Sequence, residues 1–124
     1  MPKRVLVVDN DPTLVRLCKL VLEREGYLVL GAFSGAQCLD SLARYPVDLI
    51  LLDPLLEDTE GWELLDRIGA DSRWASIPVV AVTNAFLRPK SPNHTPRQRL
   101  AGYLRKPFQI SNLLEQVRLG VARA

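Results

Sequence analysis

Four polar stations close apolar runs in this sequence, and their residue types are those of phosphoryl chemistry at a divalent cation. Asp9, Asn10 and Asp11 follow the run VLVV, Asp53 follows LILL, Thr83 ends VVAVT, and Lys106 comes shortly after GYL. Carboxylates gathered in one place repel one another, and a hard ion such as Mg2+ relieves that repulsion through oxygen ligands. A carboxylate held beside such an ion can attack phosphorus and form an aspartyl phosphate, while a lysine and a hydroxyl balance the charge of the phosphoryl oxygens. Singly, each residue has a plainer account: Asp9 and Asp11 as helix caps, Asp53 and Thr83 as strand ends, Lys106 as a surface cation. Their joint arrival at four strand ends favours the shared site.

The elements that must position these groups are written in the hydrophobic pattern. Strands are expected at 4–8, 28–31, 48–52, 78–83 and 102–104, alternating with helical periodicities; that is the signature of βαβ units around a buried parallel sheet. In such a sheet functional groups collect outside the carboxyl ends of the strands, near the point where strand order reverses. Leu14, Leu17, Cys18, Val21 and Leu22 form the apolar stripe of a first helix, with Asp11 as N-cap, Pro12 at its first position and Gly26 at its end. A second helix opens at Ser34 or Gly35 and runs through about Arg44, stopped by Tyr45 and Pro46. A third runs from Gly61 to Ile68, and a last from Gln109 to about Val121 with Ile110, Leu113, Leu114, Val117 and Val121 facing inward. Between Phe86 and Gln98, Pro89, Pro92 and Pro96 oppose a regular helix and leave at most a short one after Pro96. His94, the only histidine, lies there and is expected to be solvated.

The bulk numbers fit one such domain over residues 1–124, with 48% hydrophobic and 24% charged residues. Cys18 and Cys38 are isolated thiols in leucine-rich surroundings, expected as small buried hydrophobes rather than ligands or a bridge. The first residues do not resemble a signal peptide, and no apolar run reaches the roughly 18–20 residues of a membrane span, so a cytoplasmic setting is expected. A net charge of +2 gives no argument for nucleic acid, although every charged residue from 85 to 114 is basic.

The blocks VLVVDNDP, DLILLDPLLEDTEGWELL, IPVVAVTN and GYLRKPF resemble, in order and spacing, the signature blocks of response-regulator receiver domains of bacterial two-component phosphorelays. That resemblance implies a flavodoxin-like α/β fold: a doubly wound, five-stranded parallel sheet of order 2-1-3-4-5, here with the fourth helix shortened or replaced by the proline-rich segment. It further implies a signalling domain rather than an enzyme in the usual sense, with Asp53 as phosphoacceptor, Asp9 and Asn10 as the metal-binding pair, and Leu55 supplying a backbone carbonyl to Mg2+. Thr83 becomes the switch hydroxyl, Tyr103 the switch aromatic, and Lys106 the phosphate-pairing lysine before a cis proline, Pro107. The implied partners are a sensor histidine kinase or a phosphotransfer protein and an unidentified downstream protein, with a homodimer admissible and neither nucleic acid nor membrane involved.

The chain departs from the family pattern at several places. Asn10 stands where a second acid is usual, which deletes one negative charge and should weaken metal binding. Glu57 holds the place of a usual proline while Pro54 follows the acceptor directly, and Asn84 replaces a small residue after the switch hydroxyl. A pseudo-receiver, the same fold serving as a constitutive protein-binding module, is therefore the main alternative. A haloacid-dehalogenase-like phosphatase with Asp9 as nucleophile is a lesser one, since that family needs a later acidic pair and Glu115 is the only acid after Lys106.

Overall fold

The computed structural model describes residues 1–83 and 100–123. The expectations for Phe86 to Gln98, for His94 and for Asn84 lie outside the described residues. The elements follow in the order β1 (Arg4–Val8), α1 (Pro12–Arg24), β2 (Leu28–Ala32), α2 (Gly35–Arg44), β3 (Leu49–Leu52), α3 (Gly61–Ala70), β4 (Val79–Thr83), β5 (Leu100–Arg105) and α4 (Ile110–Val121).

All strand pairs are parallel and the sheet order is β2-β1-β3-β4-β5, as expected. Because side chains alternate along a strand, the central strands feed two cores. Val5, Val7, Leu49, Leu51, Val80 and Val82 pack with Val15, Cys18 and Leu22 of α1 and with Leu113 and Val117 of α4. Leu6, Val8, Ile50, Leu52 and Val79 pack on the other face with Cys38 and Leu42 of α2 and with Leu64, Leu65 and Ile68 of α3. Each large side chain taken fully from water contributes about 2 kcal/mol, so both faces of the sheet are held and its carboxyl edge is a rigid platform.

The helix boundaries have local causes. Asp11 accepts a hydrogen bond from the Thr13 N–H at 3.0 Å and caps α1, with Pro12 at its first position. After α1, Gly26 takes a φ of 93°, the left-handed conformation that closes many helices. Ser34 caps α2 by accepting from the Gln37 N–H at 3.1 Å, and the Gln37 side chain accepts from the Phe33 N–H at 2.9 Å. Two expected inner faces need correction. In α1 Cys18 and Leu22 are buried and Leu14 and Val21 pack against the same core, as expected, but Val15 takes the buried place expected of Leu17, which is 41% exposed. In α4 Ile110 is 47% exposed, because it is the first residue of the helix and no preceding turn covers it. β5 is longer than its short apolar run suggests, since an edge strand pairs on one side only and its residues need not all be apolar.

Candidate functional site

The platform delivers its polar groups by register. Val8 of β1 lies opposite Leu52 of β3, so the next residues, Asp9 and Asp53, leave the two central strands side by side. The Asp53 N–H continues the ladder to the Val8 carbonyl at 2.9 Å, and the Asp9 N–H donates to the Ala32 carbonyl at 3.0 Å. On the other side Thr83 pairs with Arg105, and the Lys106 N–H donates to the Thr83 carbonyl at 3.1 Å. The Lys106–Pro107 peptide bond is cis.

The two carboxylates are held in the same way. Asp9 Oδ1 accepts from the Asp11 N–H and Asp53 Oδ1 from the Leu55 N–H, each at 2.9 Å, so both side chains close a turn on the backbone two residues ahead. Their remaining oxygens meet one cation: Lys106 Nζ donates to Asp9 Oδ2 at 2.6 Å and to Asp53 Oδ2 at 2.7 Å. Both aspartates are buried, at 2% and 6% exposure, as is Thr83. Burial disfavours the Lys106 ammonium, but the hydrogen bonds it donates to Asp53 and Asp9 and their negative charges outweigh it and hold its pKa above the ordinary value.

The structure thus brings Asp9, Asp53, Thr83 and Lys106 to one edge. Asn10 is exposed beside Asp9, and Leu55, 54% exposed, stands next to Asp53 with its N–H engaged on the carboxylate. Tyr103 lies on β5 opposite Ala81 and is 40% exposed. Among the described residues no cluster of three or more His, Cys, Asp or Glu converges. The protein donors for a cation are then two carboxylates, with amide or backbone oxygens beside them. That set fits Mg2+, which keeps much of its water and is commonly held by one or two carboxylates.

One contact lies outside the residues singled out from the sequence. Asp58, in the loop after Asp53, accepts from the Gly35 N–H at 2.8 Å and the Ala36 N–H at 3.0 Å. The partners are 23 and 22 residues apart, and no spacing rule marks them. Glu115, the acid that a phosphatase would require, pairs with Arg118 at 3.5 Å on α4. Among the described residues no helix is long and apolar enough to cross a membrane.

Comparison with known proteins gives a consistent picture. A family profile, the response regulator receiver domain, matches residues 5–118. The polar-differentiation response regulator DivK of Brucella anthropi is 28% identical over 118 residues, 95% of each chain. The chain spans about half the length, or less, of other curated relatives it matches. Among solved structures, a CheY-like response regulator receiver domain protein from Methanospirillum hungatei superposes with a TM-score of 0.85 at 27% identity, over 98% of this chain and 95% of the other. The receiver domain of the sensor histidine kinase PA1611 of Pseudomonas aeruginosa, described with a magnesium ion coordinated in its active site cleft, shares the fold with a TM-score of 0.84 at 24% identity, covering 98% and 99%.

Proposed function

Since the chain belongs to the response regulator receiver domain family of two-component signalling, we propose that it is a phosphorylation-controlled switch that accepts a phosphoryl group on Asp53 with Mg2+ and signals through protein–protein contacts. The observation that carries this reading is the doubly held pair: two buried carboxylates, each fixed by its own backbone and both bonded to Lys106.

Asp9, Asn10, Asp53 and the Leu55 carbonyl would hold Mg2+, which supplies positive charge against the carboxylates and the incoming phosphoryl oxygens. An Asp53 oxygen attacks phosphorus in line; the new P–O bond forms as the bond to the donor breaks, a P–N bond where the donor is a phosphohistidine. Leu55 orients the attacking carboxylate through its N–H, and Lys106, already within hydrogen-bond reach of Asp53, pairs with a phosphoryl oxygen. Thr83 at the end of β4 supplies the switch hydroxyl and Tyr103 on β5 the aromatic that turns inward. A histidine kinase or phosphotransfer protein is the donor, a downstream protein or a second copy of the chain the reader, and the setting cytoplasmic. The whole chain serves as a single receiver domain.

Incubation with Mg2+ and acetyl phosphate should add one phosphoryl group to the wild type and none to Asp53→Asn, read by intact-protein mass spectrometry. Asn10 favours a second reading, the pseudo-receiver, because it removes a charge from the metal side. A wild type that stays unmodified by acetyl phosphate and unoccupied by beryllofluoride would replace the first reading with the second.

A further inference from the structure

The loop between β3 and α3 starts at Asp53 and packs Leu56 on the core, and three further ties hold it. Leu55 and Glu60 form an antiparallel bridge that closes it on itself. Pro54 packs against Gly61 so closely that a Cβ on the glycine would lie 2.2 Å from Pro54 Cβ. The third tie leaves the loop: Asp58 spans the first two N–H groups of α2 with both carboxylate oxygens. Beside it the Thr59 methyl rests where a Cβ on Gly35 would come within 2.3 Å. A helix N-terminus leaves such N–H groups without intrahelical partners and favours an anion. The hydrogen bonds from Gly35 and then Ala36 hold the Asp58 carboxyl below its ordinary pKa. Asp58 is not the sole cap of α2, since Ser34 takes the Gln37 N–H.

We infer that Asp58 is a positioning residue for the phosphoacceptor, clamping the loop to α2 so that Leu55 stays where its N–H fixes Asp53. This rests on the proposed roles of Asp53 and Leu55. The route is short: Asp58 fixes the loop crown, the Leu55–Glu60 bridge passes the constraint across the loop, and the Leu55 N–H delivers it to Asp53 Oδ1 at 2.9 Å. Without the clamp the loop keeps its internal ties, the packing of Leu56 on the core and the apolar contact of Thr59, but no hydrogen bond from Asp58 fixes its crown, and Leu55, largely exposed, can leave the carboxylate.

Amide exchange by NMR and Mg2+ titration of the full chain test the clamp. In Asp58→Ala, exchange should quicken at Gly35 and Ala36, which lose their acceptor, and also at Leu55. The Mg2+ dissociation constant should rise roughly tenfold, the scale found when the partner that orients a metal ligand is removed. Asp58→Asn keeps one acceptor oxygen and should fall between that variant and wild type. Ser34→Ala removes a cap from the same helix end without touching the loop; it should lower the melting temperature and leave Leu55 exchange and Mg2+ affinity as they are. Leu55 exchange unchanged in Asp58→Ala, or raised equally in Ser34→Ala, overturns the clamp and reduces Asp58 to a helix cap. Should Asp58→Ala not fold, Asp58→Asn against Ser34→Ala decides by the same criterion. A wild type that binds no Mg2+ counts against the proposed function alone, and Leu55 exchange still decides the clamp.

Discussion

The two edges of the sheet both pair cations with carboxylates, yet they do so in opposite ways. At the carboxyl edge Lys106 reaches partners 97 and 53 residues distant in sequence, and the carboxylates it joins are almost wholly buried. At the amino edge the pairing lies in water. Arg73 binds Asp71 at 2.8 Å and stacks over Trp74 at 4.6 Å, and Arg4 lies over Tyr45 at 5.5 Å while donating to the Pro46 carbonyl at 3.1 Å. Exposed pairs of the second kind contribute little, because water competes for both charges. Buried pairs cost desolvation when made and more when one partner is lost. The same chemistry is therefore expendable at one edge and binding on the whole fold at the other.

The largest test of that contrast is Lys106→Met, which leaves two buried carboxylates facing each other. Urea unfolding in metal-free buffer should show a loss of about 3 kcal/mol, the low end of the range for a broken buried pair because part of the lysine is solvated. Mg2+ should restore part of it by binding the native state. The sign of the pH dependence follows from the raised Lys106 pKa: its contribution is whole below the unfolded value of about 10.4 and is lost as pH rises through the folded value. A loss under about 1 kcal/mol would erase the distinction between the edges.

Gly61→Ala should come next. The added Cβ would lie 2.8 Å from the Pro54 Cα, a backbone atom, so the acceptor loop must shift. The expected cost is about 1–3 kcal/mol by denaturation, with weaker Mg2+ binding by titration; an unaltered affinity would mean that the loop moves without disturbing Asp53. The smallest effect belongs to the amino edge. Arg73→Ala should move the melting temperature by no more than about 2 °C. The Asp71 carboxyl is held down chiefly by its hydrogen bond from the Arg73 side chain, so the small difference exists above about pH 3.8 and vanishes as pH falls through the folded value. A melting shift as large as that of Lys106→Met would show that exposure is not what separates the edges.

Much of this was legible from residue type alone. Central strands covered on both faces must be apolar throughout, so VLVV and LILL announce themselves, and a polar residue directly after such a run can only lie at the sheet edge. Asp11, Pro12, Gly26 and Ser34 mark helix ends because capping chemistry is local. Less was legible where geometry decides between neighbours. Val15 displaces Leu17 on α1 because the helix's rotation against the sheet, rather than side-chain hydrophobicity, selects the buried stripe. Asp58 gave no sign of its partners, since its contact depends on how the loop after β3 falls across the start of α2, a relation between elements that periodicity does not encode.

The two thiols carry a practical consequence. Cys18 belongs to the core on one face of the sheet and Cys38 to the core on the other, with the pleated backbone between them. Burial pushes Cys18 up to about 11 and Cys38 up to about 12. Alkylating reagents take the thiolate, so neither native cysteine should compete for a maleimide at neutral pH. A single cysteine introduced on the exposed surface would then carry a fluorophore or spin label alone, and the native chain is already the silent background against which movement at either edge could be watched.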